Sequence, residues 1–252
     1  MARSTSLDVQ HRLRDHVGNM NYYSHGVRFL DRPWFAAGTA IPDWLSVADR
    51  KVRMRVRDVT PFADGSGSFQ AEVAAGVLQH LADDDWFHST QAFLEVSSQL
   101  TRLFRELLPD DDSPRCSFLG HIVTELLLDS VLIERDPPRL ERYYEVFKQL
   151  KGLEIQNAVN AMARRTTDQL AWFVDMFPQE RFLSDYGDAE RLCHRLNQVL
   201  RRVRLEPLPA AAYSVLGSAR QIVRMRADEL LPGFDAALHD LPRLTVPGDV
   251  SQ

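Results

Sequence analysis

The feature that most constrains this chain is the segment SFLGHIVTELLLDSVLIER, residues 117–135, which is apolar on almost every side at helical spacing. A helix of that composition belongs at the centre of a fold. Its polar exceptions form a line: His121, Glu125 and Asp129 fall at i, i+4 and i+8, along one face. Burying isolated carboxylates there costs several kcal/mol each unless they are paired or coordinate a cation. A bound metal ion supplies that compensation.

A second stripe precedes it in EVAAGVLQHLADDDWFH. His80, Asp84 and His88 repeat the i, i+4, i+8 spacing and lie within about 80° of one another on a helical wheel. Val73, Val77 and Leu81 share their sector, whereas Glu72, Gln79 and Asp83 mark a polar side pointing elsewhere. His25, in Asn21–Gly26, and Asp43, just after Pro42, sit in apolar surroundings and complete the candidates. A single His-x-x-x-Asp is usually a solvated helix face, and a buried histidine is commonly just hydrogen-bonded. Two stripes on apolar faces within 50 residues argue for a site.

His25, Asp43, His80, Asp84, His88, His121 and Glu125 together offer imidazole nitrogen and carboxylate oxygen, the donors expected for zinc, manganese or iron rather than calcium. Seven ligands suit two divalent ions, with zinc the first expectation and manganese or iron the alternatives. Asp129 stays outside the ligand set as a supporting partner for a ligating histidine.

The order of these residues resembles the zinc-dependent phospholipase C family, to which the single-strand-specific zinc nucleases are related. The matching stretches are YYSHG, GTAIPDW, GVLQHLADDDWFH and GHIVTELLLD. The opening Met20–His25 is similar to the start of bacterial acyl carrier protein phosphodiesterases, helical metal-dependent enzymes linked to HD-type phosphohydrolases. The resemblance covers roughly residues 20–135. It implies that His80 and Asp84 hold one part of a metal cluster, that His88, His121 and Glu125 hold another, and that His25 serves a further metal. It also makes Asp43 a ligand beside the attacking water, hence the candidate catalytic general base. The phospholipases use another histidine between the equivalents of Asp43 and His80, and this chain has none there. A two-metal variant is therefore expected.

The 252 residues, 44% hydrophobic, can bury one core at the upper end of single-domain size. The expected fold is all-α, a multi-helix single domain with its metal ligands on core helices. Residues 1–18 read as a mobile extension, 19–136 as the helical metal-binding core, 137–240 as C-terminal helices packed on it, and 241–252 as a tail. Helical spacing predicts segments near Tyr22–Leu30, from Pro42-Asp43 onward, and over 70–108, 117–134, 138–176, 188–203 and 210–231. Pro42 suits a first helical turn.

A net charge of -5 and a pI near 5.9 give no global basic field, so no DNA partner is expected. Two cysteines, Cys116 and Cys193, make no disulfide framework. The start of the chain lacks an apolar signal-like stretch, and the expectation is a cytoplasmic protein without a membrane span. The basic run Arg50–Arg57 could hold substrate phosphates or be plain surface. Trp34, Trp44 and Trp86 flank the ligand candidates without an assigned role.

The expected activity is that of a metal-dependent phosphohydrolase or phosphodiesterase, with metal-activated water attacking a small phosphoester or phosphopantetheine-type substrate. One alternative is a noncatalytic helical binding module engaging a partner through Arg164, Arg165, Arg201, Arg202 and Arg204. The other is a diiron-type helical oxidase, disfavoured because such bundles use Glu-x-x-His pairs and this chain has His-x-x-x-Glu. Oligomeric state is left open.

Overall fold

In the computed structural model, which describes residues 22–111 and 113–234, all regular structure is helical and no strand occurs among the described residues. The order is α1 (Tyr22–Gly26) running into a 3-10 turn (Val27–Phe29), α2 (Pro33–Ala48), the short α3 (Val56–Val59), α4 (Phe69–Ser89), α5 (Gln91–Leu107) and α6 (Arg115–Arg135). Then come α7 (Pro137–Lys148), α8 (Gly152–Met162), α9 (Leu170–Glu180), a 3-10 segment (Phe182–Gly187), α10 (Ala189–Arg202) and α11 (Ala212–Leu230). The all-α expectation holds. The expected extension at 1–18 and tail at 241–252 lie outside the described residues.

Three boundaries differ from the sequence reading. The second helix opens at Pro33, and Pro42 lies inside it. Proline satisfies a first helical turn at Pro33, while at Pro42 it removes the amide that Gly38 would accept from, a cost of about 3 kcal/mol in an exposed helix. Burial of the surrounding Phe35–Leu45 face offsets it. The predicted 70–108 helix is two helices, because Thr90 adopts extended backbone (φ -69°, ψ 144°) and its side chain accepts the Phe93 amide as the N-cap of α5. The predicted 138–176 helix is three, α7, α8 and α9, broken at Gln149–Lys151 and at 163–169.

Helix α6 is the central element. Almost every residue from Arg115 to Leu132 is buried, under α5, α11, α1 and the 3-10 segment Phe182–Gly187. By length and composition it could cross a membrane, but 83% of its most apolar window is covered by neighbouring helices. One hydrophobic cluster runs from Tyr22 to Phe234, so α7 to α11 are continuous with the core around α6. Trp44 links the two halves, edge-on to Phe147 at 5.6 Å and to Phe177 at 5.4 Å.

Helices α2 and α4 approach backbone to backbone because glycines face each other. A methyl group on Gly38 would lie 2.3 Å from the Val73 carbonyl oxygen, and one on Gly76 2.1 Å from that of Phe35. Gly120 lets α6 press as closely on α5, where a methyl group would fall 2.5 Å from the Ser97 carbonyl oxygen. Gly76→Ala should therefore destabilise the fold by about 2 kcal/mol or more. Gly217→Ala, where nothing lies within 4 Å on helix α11, should be neutral or stabilising by up to about 1 kcal/mol. Urea denaturation compares the two, and equal effects would refute the close-approach account.

Candidate metal centre

The first group of ligand-type side chains joins α1 to α4. Helix α1 has five residues, too few to persist alone, and its first amides need acceptors. Asp129 on α6 provides them: its carboxylate accepts from Tyr23 N at 3.0 Å and Ser24 N at 2.9 Å, while the Tyr143 hydroxyl donates to the Tyr22 carbonyl at 3.0 Å. This anchoring carries His25 to α4, where its Nε2 lies 3.2 Å from Asp84 Oδ1.

His80 completes that group, and its protonation can be read from its neighbours. Its Nδ1 lies 2.7 Å from the Thr39 carbonyl oxygen, which can only accept, so Nδ1 carries a hydrogen. In the neutral ring Nε2 is then a bare lone pair, and it faces Asp84 Oδ2 at 3.2 Å. Two acceptors in that relation need a proton or a cation between them. Donors bound to one tetrahedral ion with bonds near 2.0 Å would lie about 3.3 Å apart, close to the spacing found here.

The second group spans α4 and α6. His88, in the last turn of α4, and His121, one turn before Glu125 on α6, both direct Nε2 to the same oxygen, Glu125 Oε1, at 2.7 and 3.1 Å. Phe93 sits 4.8 Å from the His88 ring and 5.0 Å from that of His121, fixing both rings. Glu125 is buried, and its Oε2 has no hydrogen-bond partner among the described residues.

Within each group the candidate ligand atoms lie within 4.8 Å of one another. Each triad, His25/His80/Asp84 and His88/His121/Glu125, can hold a metal ion and would leave a fourth position open, the pattern of catalytic rather than structural zinc sites. His80 and Asp84 fall together, as do His88, His121 and Glu125. His25 joins the first pair rather than standing apart.

Asp43 belongs to neither triad. It is fully buried on α2, and both carboxylate oxygens lack hydrogen-bond partners among the described residues. Burial pushes its pKa well above the carboxylate range; His25 opposes that shift, and Asp84, Glu125 and Asp129 reinforce it. Asp43 thus feels the charges of both triads. Burial raises Asp129 to about 7 despite its two backbone bonds, while Glu125, raised by burial, is held down at about 2 by His121 and His88. Burial alone would lower His25, yet Asp83 and Asp84 carry it to about 10. Protons on imidazole here offset carboxylate charge that a cation would otherwise offset.

A cavity of about 300 Å³ opens beside His25, lined also by Ser24, Arg28, Asp83, Trp86 and Phe234. Arg28 and Asp83 were not legible as site residues. Asp83 was assigned to a polar side pointing away, yet it lies 3.6 Å from His25 Nδ1, and it accepts from Arg28 at 2.9 Å and Gln79 at 2.8 Å. Three successive acidic residues on one helix sweep too wide an arc for a wheel to assign, and α1 sits over that edge. Arg28 follows His25 by three residues, one helical turn, the only signal it offered.

Other candidates separate. Trp86 lines the cavity, Trp44 is core, and Trp34 is 44% exposed against Phe69. Arg50, Lys51, Arg53, Arg55 and Arg57 are exposed, and none lines that cavity. Cys116 and Cys193 are free and buried. His194 is exposed beside Gln198; His11, His16 and His239 lie outside the described residues. No family model, curated protein or solved structure matches the chain.

Elemental analysis of protein purified without an affinity tag should find about one divalent ion per triad. His80→Ala should remove the ion of the first triad and His121→Ala that of the second, each leaving the other in place. A folded wild type that takes up no zinc, manganese or iron on dialysis would exclude the centre.

Proposed function

We propose that this protein is a metal-dependent phosphoester hydrolase whose centre is the pair of triads His25/His80/Asp84 and His88/His121/Glu125. The observation that carries the reading is the unpartnered, buried Asp43 carboxylate, which feels the charge of both triads, each with a position to spare. Divalent ions bound there would supply Lewis acidity and lower the pKa of a coordinated water. Once the charge of bound ions had ionised it, Asp43 would orient that water and accept its proton, with a proton affinity that burial raises above that of an ordinary carboxylate. Arg28, at the cavity mouth, holds a phosphate oxygen once its bond to Asp83 is shared. Thr39 fixes the His80 tautomer, and Asp129 fixes the helix that carries His25.

The cavity admits a small phosphoester, and Trp86 and Phe87 offer apolar surface to whatever group the phosphate is esterified to. A phosphopantetheine-type substrate fits that description. A second reading follows from the donor set. Two histidines and one carboxylate per triad is also the composition of non-haem iron oxygenase sites, so iron content with oxygen consumption would favour an oxidase.

Purified protein loaded with zinc or manganese should hydrolyse bis(p-nitrophenyl) phosphate or p-nitrophenyl phosphate. Asp43→Asn should lower kcat by about 10²- to 10⁴-fold with metal content unchanged. Arg28→Ala should act mainly on KM. A metal-loaded protein that turns over neither ester, or an Asp43→Asn variant with full activity, would defeat this reading.

A further inference from the structure

A second cavity among the described residues is larger than the one beside His25. It lies where α9 and α10 meet α1, measures about 500 Å³, and shares no residue with either triad. Trp172, Phe173, Met176, Phe177, Phe182 and Val199 make most of its wall, an apolar lining within the range of small-molecule sites. Trp172 is 68% exposed at its rim. An indole left in water beside an apolar hollow is surface that a ligand would cover.

About half of the lining residues also carry polar groups, Tyr22 and three arginines among them. Tyr22, 1% exposed, is wedged between the Phe177 and Phe182 rings at 5.5 Å from each, and its hydroxyl has no hydrogen-bond partner among the described residues. Burial raises its pKa well above that of an ordinary phenol, and the positive charge of Arg202, which lines the same cavity, opposes the shift. Arg195 is held by Asp185 at 2.7 Å, and Arg201 donates to the Asn197 carbonyl at 3.3 Å. Arg202 makes no side-chain hydrogen bond or ion pair among the described residues, while its own carbonyl accepts from Arg50 at 3.2 Å at the end of α10. Against the three arginines the lining carries one acidic residue, Glu180.

We propose that this cavity binds a single-chain amphiphile with an anionic head, its hydrocarbon along Phe173, Met176 and Phe177 and its head between Arg202 and the Tyr22 hydroxyl. The wall supplies what an alkyl chain needs, burial without polar groups to satisfy. The head supplies what Arg202 and Tyr22 lack, an acceptor that pairs with a guanidinium and takes a phenol hydrogen. The site is independent of the metal centre in composition, so it stands whether or not the hydrolase reading does.

Full-length protein is titrated calorimetrically with dodecanoate, dodecyl phosphate and uncharged dodecanol, each below its micelle-forming concentration. The expected result is saturable one-site binding of at least one anionic probe, tenfold or more tighter than dodecanol. Arg202→Glu should weaken that probe tenfold or more and leave dodecanol unchanged. Met176→Trp should block all three. Trp172→Ala, at a rim position that does not threaten folding, should weaken all three and covers the case in which Met176→Trp does not fold. No saturable binding of either anionic probe, as when another part of the chain fills the cavity, overturns the proposal. So does dodecanol binding as tightly as the anions, or an Arg202→Glu variant that binds them unchanged.

Discussion

Three carboxylates, Asp43, Glu125 and Asp129, are fully buried in the middle of this helical protein, and the rest of the structure is arranged around their charge. Left unpaired, each would cost several kcal/mol. The chain answers them in three different ways. Asp129 receives backbone amides from α1, Glu125 receives two imidazoles on one oxygen, and Asp43 receives no hydrogen bond from any of the described residues. Glu125 keeps one oxygen without a partner, Asp43 both, and Asp43 is the one whose carboxylate responds to both triads. A core that answers two of its acids at least in part and leaves both oxygens of the third without a partner among the described residues has concentrated much of its electrostatic cost at Asp43.

Close helix contacts make that arrangement attainable. The Gly38–Gly76 approach brings the α2 backbone within hydrogen-bond reach of an α4 side chain, so the Thr39 carbonyl can fix which nitrogen of His80 is protonated. Gly120 does the comparable service for α6, immediately before His121. Pro42 sits in the same stretch of α2, one residue before Asp43. Its missing amide leaves the Gly38 carbonyl without its helical donor, at the place where the two helices come closest. A bulkier residue at Gly38 or Gly76 would move His80 and Asp43 apart before it touched either.

Much of this was legible in the sequence because helices convert spacing into faces. The stripes His80/Asp84/His88 and His121/Glu125/Asp129 put these side chains on the faces of α4 and α6 that meet other ligand-type groups or the α1 amides, and the near-uniform apolarity of 117–135 identified the central helix. Spacing could not say how the stripes divide. One stripe feeds two triads, since His88 lies two turns from His80 and meets α6 instead of α1. A wheel puts Asp83 on a polar side pointing elsewhere because it knows only one helix, and Arg28, in the 3-10 turn that follows α1, reaches it from 55 residues earlier. The break at Thr90 and the position of Pro42 were missed for a related reason: capping by a single threonine and burial around a single proline are decided by tertiary contacts, which override local propensity.

The segment Tyr22–Gly26 shows how many constraints five residues can carry. Tyr22 turns its ring toward the apolar cavity and gives its carbonyl to Tyr143, Tyr23 packs on Tyr143 at 5.5 Å, and the Tyr23 and Ser24 amides are taken by Asp129. His25 faces Asp84, and Gly26 is small enough to pass Tyr143, where a methyl group would meet the ring at 3.0 Å. A helix this short has no stability of its own. Its position, and with it the placement of His25, is therefore set by Asp129 and Tyr143 from outside. Tyr22 lines the larger cavity while Ser24 and His25 line the one beside the first triad, so this one short helix reaches both hollows.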